Sequence, residues 1–449
     1  MNNSKFLEFR EKYNTFIYDK YEINYDNGNI KVTYTYKIDN YEFKPEVFIS
    51  KDKINNKNIN KDFLDKLFFN FGIINSINYY KLTCSKNFII NCGYLDKYQK
   101  EFFKKQFFNG LGEYFYINKL NINYDNFINI TTLDGYNNII NLEDKFSGNL
   151  IPIGGGKDSI VSLELLSDYH NDNMCFLYNR DIYPTNIAAL DTIKLAGYEE
   201  KDIIEFNITL DKLMLDLNKQ GFYNGHIPFS SNLAFASYIM AYLNNKQYIV
   251  LSNEASANES NISGTNINHQ YSKSFEFEKD FREYTKKYFT EKIEYFSLLR
   301  CLNEYQIVQE FLKHPKYLDV FRSCNKGTKT NTWCGTCSKC LYVFIMLYPF
   351  VSNEKLIEIF RSNMLDNKDY LDMFIGLVKE DETKPFECVG TKEEIDYSLY
   401  LGLKKNDKLP ILLEYYKNNI YDENKIYNVE NYFNKNNAIP NIYLDKMER

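Results

Sequence analysis

Basic charge is scarce relative to acid in this chain of 449 residues: 54 Lys and Arg stand against 60 Asp and Glu, a formal net charge of −6. Nucleic-acid binding draws on lysine and arginine to neutralise phosphates, so this balance argues against DNA or RNA as a partner. Long hydrophobic runs are also missing. The longest apolar stretch, Cys340 to Phe350 with Pro349 inside it, is too short to span a bilayer. The opening MNNSKFLEFREKYN has no apolar core of the kind a secretory signal needs. Both absences predict a cytoplasmic protein with no membrane partner. The nine cysteines are then reduced thiols or metal ligands rather than disulfides. Histidine is rare, four in all, and neither internal repeats nor low-complexity linkers occur.

Apolar residues make up 44% and charged residues 25%, which is ordinary for a globular chain of two or three domains. The 40 Tyr and 35 Phe read as core and cleft filling rather than a platform for stacked bases. Residues 1–145 read as an α+β module. Alternating segments Tyr21–Asp26 and Ile30–Ile38 flank the turn Asp26-Asn27-Gly28-Asn29, and Tyr41–Ser50 supplies a third strand. Helices are expected over Asp62–Tyr80 and Lys97–Asn109, the second closed by a Gly110 and Gly112 cap, with Glu113 in the loop beyond. Residues 146–345 alternate strand and helix: strands at Met174–Asn179, Ile203–Ile208 and Tyr248–Leu251, helices at Thr185–Ala196 and Asn232–Asn245. That alternation predicts an α/β fold, a parallel sheet with helices on both faces. Residues 346–449 read as a helical C-terminal region.

The strongest local signal is Gly154-Gly155-Gly156-Lys157-Asp158-Ser159, between the apolar run Leu150–Ile153 and a helical pattern through Ile160, Leu163 and Leu166. Glycines at a strand-to-helix turn let backbone N–H groups approach an anion, and the helix N-terminus adds its dipole. Lys157 contributes a charge and Ser159 a hydroxyl, which together describe a phosphate cradle. The spacing is neither GxxxxGK[ST] nor GxGxxG. It resembles the SGGxDS loop of the PP-loop ATP pyrophosphatases, with Gly154 where a serine is usual. That resemblance implies ATP cleavage between the α and β phosphates, AMP transfer to a carboxylate or carbonyl oxygen, and Asp158 holding Mg²⁺.

A second signal is Cys334-Gly335-Thr336-Cys337-Ser338-Lys339-Cys340, with Cys324 ten residues upstream. Four thiolates suit a closed tetrahedral Zn²⁺ site of structural type, and an iron–sulfur cluster is the rival. The knuckle resembles that of the 7-cyano-7-deazaguanine synthases. Further candidates stand in polar stretches. Glu254 lies in Ser252–Asn258, His269 and Lys273 in Asn268–Ser274, and Cys388 beside Glu387 in Lys384–Thr391.

With GLGEYFYIN (Gly110–Asn118), PIGGGKDS (Pro152–Ser159), SNEASAN, NHQYSKS, WCGTCSKC (Trp333–Cys340) and KPFECVGT assembled, the chain resembles the ATP-dependent UDP-N-acetylmuramoyl-L-alanyl-L-glutamate epimerases of bacterial peptidoglycan synthesis. The resemblance implies a UDP-MurNAc-dipeptide substrate, activation of the terminal glutamate α-carboxylate as an acyl adenylate, inversion at Cα, and release of AMP and pyrophosphate. Adenylation removes the carboxylate charge that otherwise opposes a carbanion at Cα. Proton transfer then needs general acid–base groups, with His269, Glu254, Cys388 and Glu113 as candidates in that order and Lys273 to stabilise the enolate. An amide- or nitrile-forming synthase, or a non-enzymatic nucleotide sensor, are the competing classes.

Overall fold

In the computed structural model, which describes residues 2–447 except 263, 266, 406 and 407, one mixed sheet carries eleven strands. They are β1 Thr15–Asp26, β2 Asn29–Ile38, β3 Tyr41–Phe43, β4 Glu46–Ile49, β5 Asn87–Ile90, β6 Asn129–Thr132, β7 Asn149–Pro152, β8 Asn173–Arg180, β9 Ile203–Ile208, β10 Tyr248–Leu251 and β11 Glu294–Ser297. Their order is β11-β10-β7-β8-β9-β4-β2-β1-β5-β6, with β3 pairing β2 off this path. From β11 to β9 every pair is parallel. A short antiparallel pairing, Val47↔Ile208 and Phe48↔Asn207, joins β4 to β9 and makes the sheet continuous past residue 145.

The β1–β2 hairpin turns at Asn27 and Gly28, both with positive φ (50° and 86°), as tight two-residue hairpins require. The expected third strand divides into β3 and β4 at Lys44-Pro45, where proline has no N–H for the ladder. Strands β9 and β10 have the predicted limits, and β8 extends one residue further at each end. Residues 61–80 form a helix over Lys61–Asn75 and a further turn over Ile77–Tyr80. The helices predicted at 185–196 and 232–245 lie at Ile187–Leu195 and Phe229–Leu243.

The cap at Gly110 and Gly112 is corrected. Neither glycine has a positive φ, and Gly110 ends one helix while Gly112 begins the next, Gly112–Ile117. A β-carbon on Gly110 would lie 2.4 Å from Pro228 Cγ, so close packing rather than a left-handed turn requires glycine there. Glu113 is accordingly helical and buried, not a loop charge.

Successive residues of the parallel strands enter different cores. Leu150, Phe176, Ile249 and Tyr295 join the cluster that includes the N-terminal half, whereas Ile151, Cys175, Val250 and Phe296 join the one that includes the C-terminal helices. The period of two, apolar on both faces, is what a covered parallel sheet demands. Beyond residue 346 the described residues form helices and loops. None of the helices formed by the described residues is long and apolar enough to cross a membrane.

Candidate active site

The parallel half runs β9-β8-β7-β10-β11, a doubly wound order that reverses between β7 and β10. At such a reversal the loops leaving the two strands diverge to opposite faces and open a crevice beyond their carboxyl ends. The loop after β7 is Gly154–Gly156, followed by the helix Lys157–Leu165. The loop after β10 begins at Ser252, whose buried hydroxyl has no hydrogen-bond partner.

The glycines are required here by space and conformation. Gly155 has φ +80°, and a β-carbon on it would sit 2.7 Å from Ala189 N. A β-carbon on Gly156 would meet Ser323 Oγ at 2.9 Å, while Gly154 faces open space. Asn186 Nδ2 donates to Gly154 O (3.0 Å) and Arg322 N to Gly155 O (2.7 Å), which occupies those carbonyls and fixes the loop. Ser159 donates its hydroxyl to Gly156 O at 3.0 Å.

Lys157 does not face the crevice as a free charge. Its side chain is 1% exposed and pairs with Asp158 and with Glu304, itself buried at the start of the helix Glu304–Leu312. Burial pushes the Lys157 ammonium down, but Asp158 and Glu304 outweigh it and raise its pKa. Burial likewise opposes ionisation of Asp158, and Lys157 and Lys339 overcome it. The Asp158 side chain is 29% exposed, so it retains an open face for a ligand or cation. Removing one partner of a buried pair strands the other charge. Glu304→Ala should therefore destabilise the fold by about 3–5 kcal/mol, measured as a lower urea midpoint.

Three distant segments converge into an acid–base cluster. Glu113 Oε2 contacts His269 Nδ1, and Lys273 Nζ donates to Cys388 Sγ at 3.2 Å. The His269 ring and the Cys388 thiol are close enough to shift each other's ionisation. Burial raises the Cys388 pKa, but Lys273 and then His269 dominate and bring it down to about 6. Burial lowers that of His269, whereas Cys388 and Glu113 together hold it up at about 9. Near neutrality the pair is therefore a thiolate beside an imidazolium. Asn261 sets the spacing: Oδ1 accepts from His269 N (2.7 Å), and Nδ2 donates to Pro385 O (2.9 Å).

Glu254 is buried after β10, with Arg300 Nη1 donating to its backbone oxygen at 2.6 Å. Its charge acts on Lys273, as does that of Asp158, which links the glycine loop electrostatically to the cluster.

The four cysteines meet. Sγ separations are 3.7 Å for Cys324–Cys337, 3.6 Å for Cys334–Cys340 and 3.5 Å for Cys337–Cys340. A single ion with metal–sulfur bonds of about 2.3 Å needs a tetrahedral edge of roughly 3.8 Å. Gly327 N donates to Cys324 Sγ (3.2 Å) and Thr336 N to Cys334 Sγ (3.5 Å), as thiolate ligands favour. Because Arg322 and Ser323 brace the glycine loop and Cys324 follows them, the knuckle also buttresses that loop.

Sequence reasoning missed Glu304, Lys339, Asn261 and His226. Lys339 stands inside the knuckle, between two cysteines, and its Nζ donates to Cys388 O. Glu304 had a local sign, the capping box Asn303–Gln306 soon after a strand. His226 and Asn261 acquire their roles only through partners far away in the chain.

A parallel sheet whose strand order reverses at a glycine loop, with Cys388, His269, Lys273 and Glu113 gathered in one cluster, defines an α/β protein with a candidate enzyme site. Comparison with known proteins narrows this. The model of the MurL N-terminal domain matches residues 8–298, and that of the MurL C-terminal domain matches residues 320–422. The UDP-N-acetyl-alpha-D-muramoyl-L-alanyl-L-glutamate epimerase of Xanthomonas oryzae pv. oryzae is 32% identical over 333 residues, 72% of this chain and 71% of its own length. Proteins of the same name from Micromonospora sp. and Salinispora tropica are each 36% identical, over 258 and 260 residues. Those matches span 56% of this chain and 56% and 55% of the relatives. No solved structure matches. The chain belongs to the MurL family and is an isomerase, an epimerase.

Proposed function

We propose that the enzyme inverts the terminal L-glutamate of UDP-MurNAc-L-Ala-L-Glu for peptidoglycan synthesis, consuming ATP to activate the α-carboxylate as an acyl adenylate. The names of the relatives support the substrate. The strand order and the Gly154–Ser159 loop support a PP-loop ATP half over residues 146–345. Residues 1–145 then contribute Glu113, and the helical region 346–449 contributes Cys388. Backbone N–H groups of the loop would hold the ATP phosphates, with Asp158 toward Mg²⁺, whose charge would favour pyrophosphate departure. ATP use and free thiols both fit a cytoplasmic setting.

The observation that carries the reading is the opposite ionisation of Cys388 and His269 at one site. Attack of the glutamate α-carboxylate on the α-phosphorus of ATP forms the acyl adenylate, a mixed anhydride, and expels pyrophosphate. With that carboxylate neutralised, the Cys388 thiolate takes the Cα proton and the electron pair moves onto the acyl oxygen as an enolate. Lys273 supplies positive charge for it. His269 supplies the proton that returns to Cα on the other face, and hydrolysis releases D-glutamyl product and AMP. Glu113 holds the His269 ring. Glu254, placed to act on Lys273, is a positioning residue in this scheme rather than the second-ranked proton carrier. The test is incubation with ATP, Mg²⁺ and UDP-MurNAc-L-Ala-L-Glu in D₂O. Deuterated D-glutamate should appear together with AMP and pyrophosphate. ATP-dependent formation of an amide, requiring ammonia and leaving L-glutamate, would instead mark a synthase.

The four-cysteine cluster is assigned to structural zinc in the same reading, because its tight spacing fits a single ion. Elemental analysis should find a zinc that survives dialysis and is lost, with thermal stability, on Cys337→Ser. A visible iron–sulfur absorption band would contradict the assignment.

A further inference from the structure

The scheme above leaves one histidine of the site unused. His226 lies in the loop before the helix Phe229–Leu243, its ring centroid 4.2 Å from that of His269. Its Nδ1 stands 3.6 Å from Glu113 Oε2, the oxygen that His269 Nδ1 contacts. This is too long for a hydrogen bond, so His226 approaches the shared carboxylate without bonding it. One ligand atom from each of Glu113, His226 and His269 lies within 4.8 Å of the other two. The segment that carries one of the imidazoles is fixed by Asn261, whose Oδ1 accepts from His269 N at 2.7 Å. The three side chains are 22%, 12% and 10% exposed for His226, His269 and Glu113, so the group is enclosed yet reachable from solvent.

Packing alone does not account for this convergence, since two rings and a carboxylate meet on one oxygen where a single histidine would satisfy Glu113. We propose that Glu113, His226 and His269 form a second transition-metal site, distinct from the four cysteines, with two imidazoles, one carboxylate and an open fourth position. Such a donor set selects Zn²⁺ and similar divalent ions over Mg²⁺. Metal bound at His269 displaces the proton that the epimerase scheme needs there, so the ion is an inhibitor of inversion. That consequence rests on the proposed function, whereas metal binding itself does not.

The test uses the full chain equilibrated at micromolar free Zn²⁺, gel-filtered, and analysed by mass spectrometry for metal per chain. The wild type should hold two zinc ions, and His226→Ala and Glu113→Gln one each, with the cysteine-bound ion retained as evidence of folding. A zinc content in folded His226→Ala equal to that of the wild type overturns the proposal. A second measurement, independent of the folding of any variant, uses only the wild type with its cysteine site filled by zinc. Added Co²⁺ should develop a visible d–d band at one equivalent, and absence of any band overturns the site. Failure here leaves the epimerase reading intact, which is decided by the deuterium experiment.

Discussion

Cys388→Ala should lose inversion by about 10²–10⁴-fold while continuing to release AMP and pyrophosphate from ATP in the presence of the L-glutamyl substrate. The thiolate is the base of the proposed scheme, but Cys388 sits in the 384–391 loop and not in the glycine turn that would hold ATP. Activation and proton abstraction are therefore separable. Wild-type inversion should follow a bell-shaped pH profile. It rises as pH increases through about 6, where Cys388 becomes a thiolate, and falls above about 9, where His269 loses the proton it must donate. These two limits belong to the interacting pair. Chiral analysis of glutamate beside a pyrophosphate assay on one preparation supplies both rates. Equal loss of both activities would move Cys388 from proton transfer to substrate or nucleotide binding. His269→Ala should behave likewise, its alkaline limb disappearing and its acidic limb moving to higher pH, because His269 no longer helps to hold the Cys388 thiol down.

Asp158→Asn should remove the first step instead, lowering pyrophosphate release and inversion together by at least ~10²-fold. Asp158 opens the helix that follows the glycine loop and keeps part of its carboxylate exposed, although Lys157 occupies one oxygen. Asparagine preserves the shape and an oxygen that can accept from Lys157 Nζ, but not the charge that would meet Mg²⁺. The fold should survive, because Glu304 continues to neutralise Lys157. Full pyrophosphate release by the folded variant would sink the Mg²⁺ assignment.

The features legible in the sequence are those whose cause is local. Three cysteines in seven residues announce a ligand cluster, and glycines between an apolar run and a helical pattern announce an anion turn. Strand β10 has its predicted ends because a short apolar run is bounded by polar loops. Glu113 could not be read this way. Its significance depends on His269, 156 residues later. Lys157 misled for a related reason: the motif gave the right residue in the right turn, but Glu304, 147 residues away, decides where its charge points. Likewise the β-strand pattern indicates a parallel sheet without revealing that β10 lies beside β7, the adjacency that makes the crevice.

The β4–β9 junction has a consequence for biosynthesis. Strand β4 ends at Ile49, and the strand that covers its free side is complete only at Ile208. At ~5–20 residues per second, the ribosome takes roughly 10–30 s to traverse that interval. During it the emerging chain exposes unpaired backbone of β4, including Val47 and Phe48, a template on which another nascent chain can add a strand. Premature termination between these strands would make that exposure permanent. The same short junction that merges the two halves of the sheet is thus the point at which crowded synthesis, rather than the finished enzyme, is most open to aggregation.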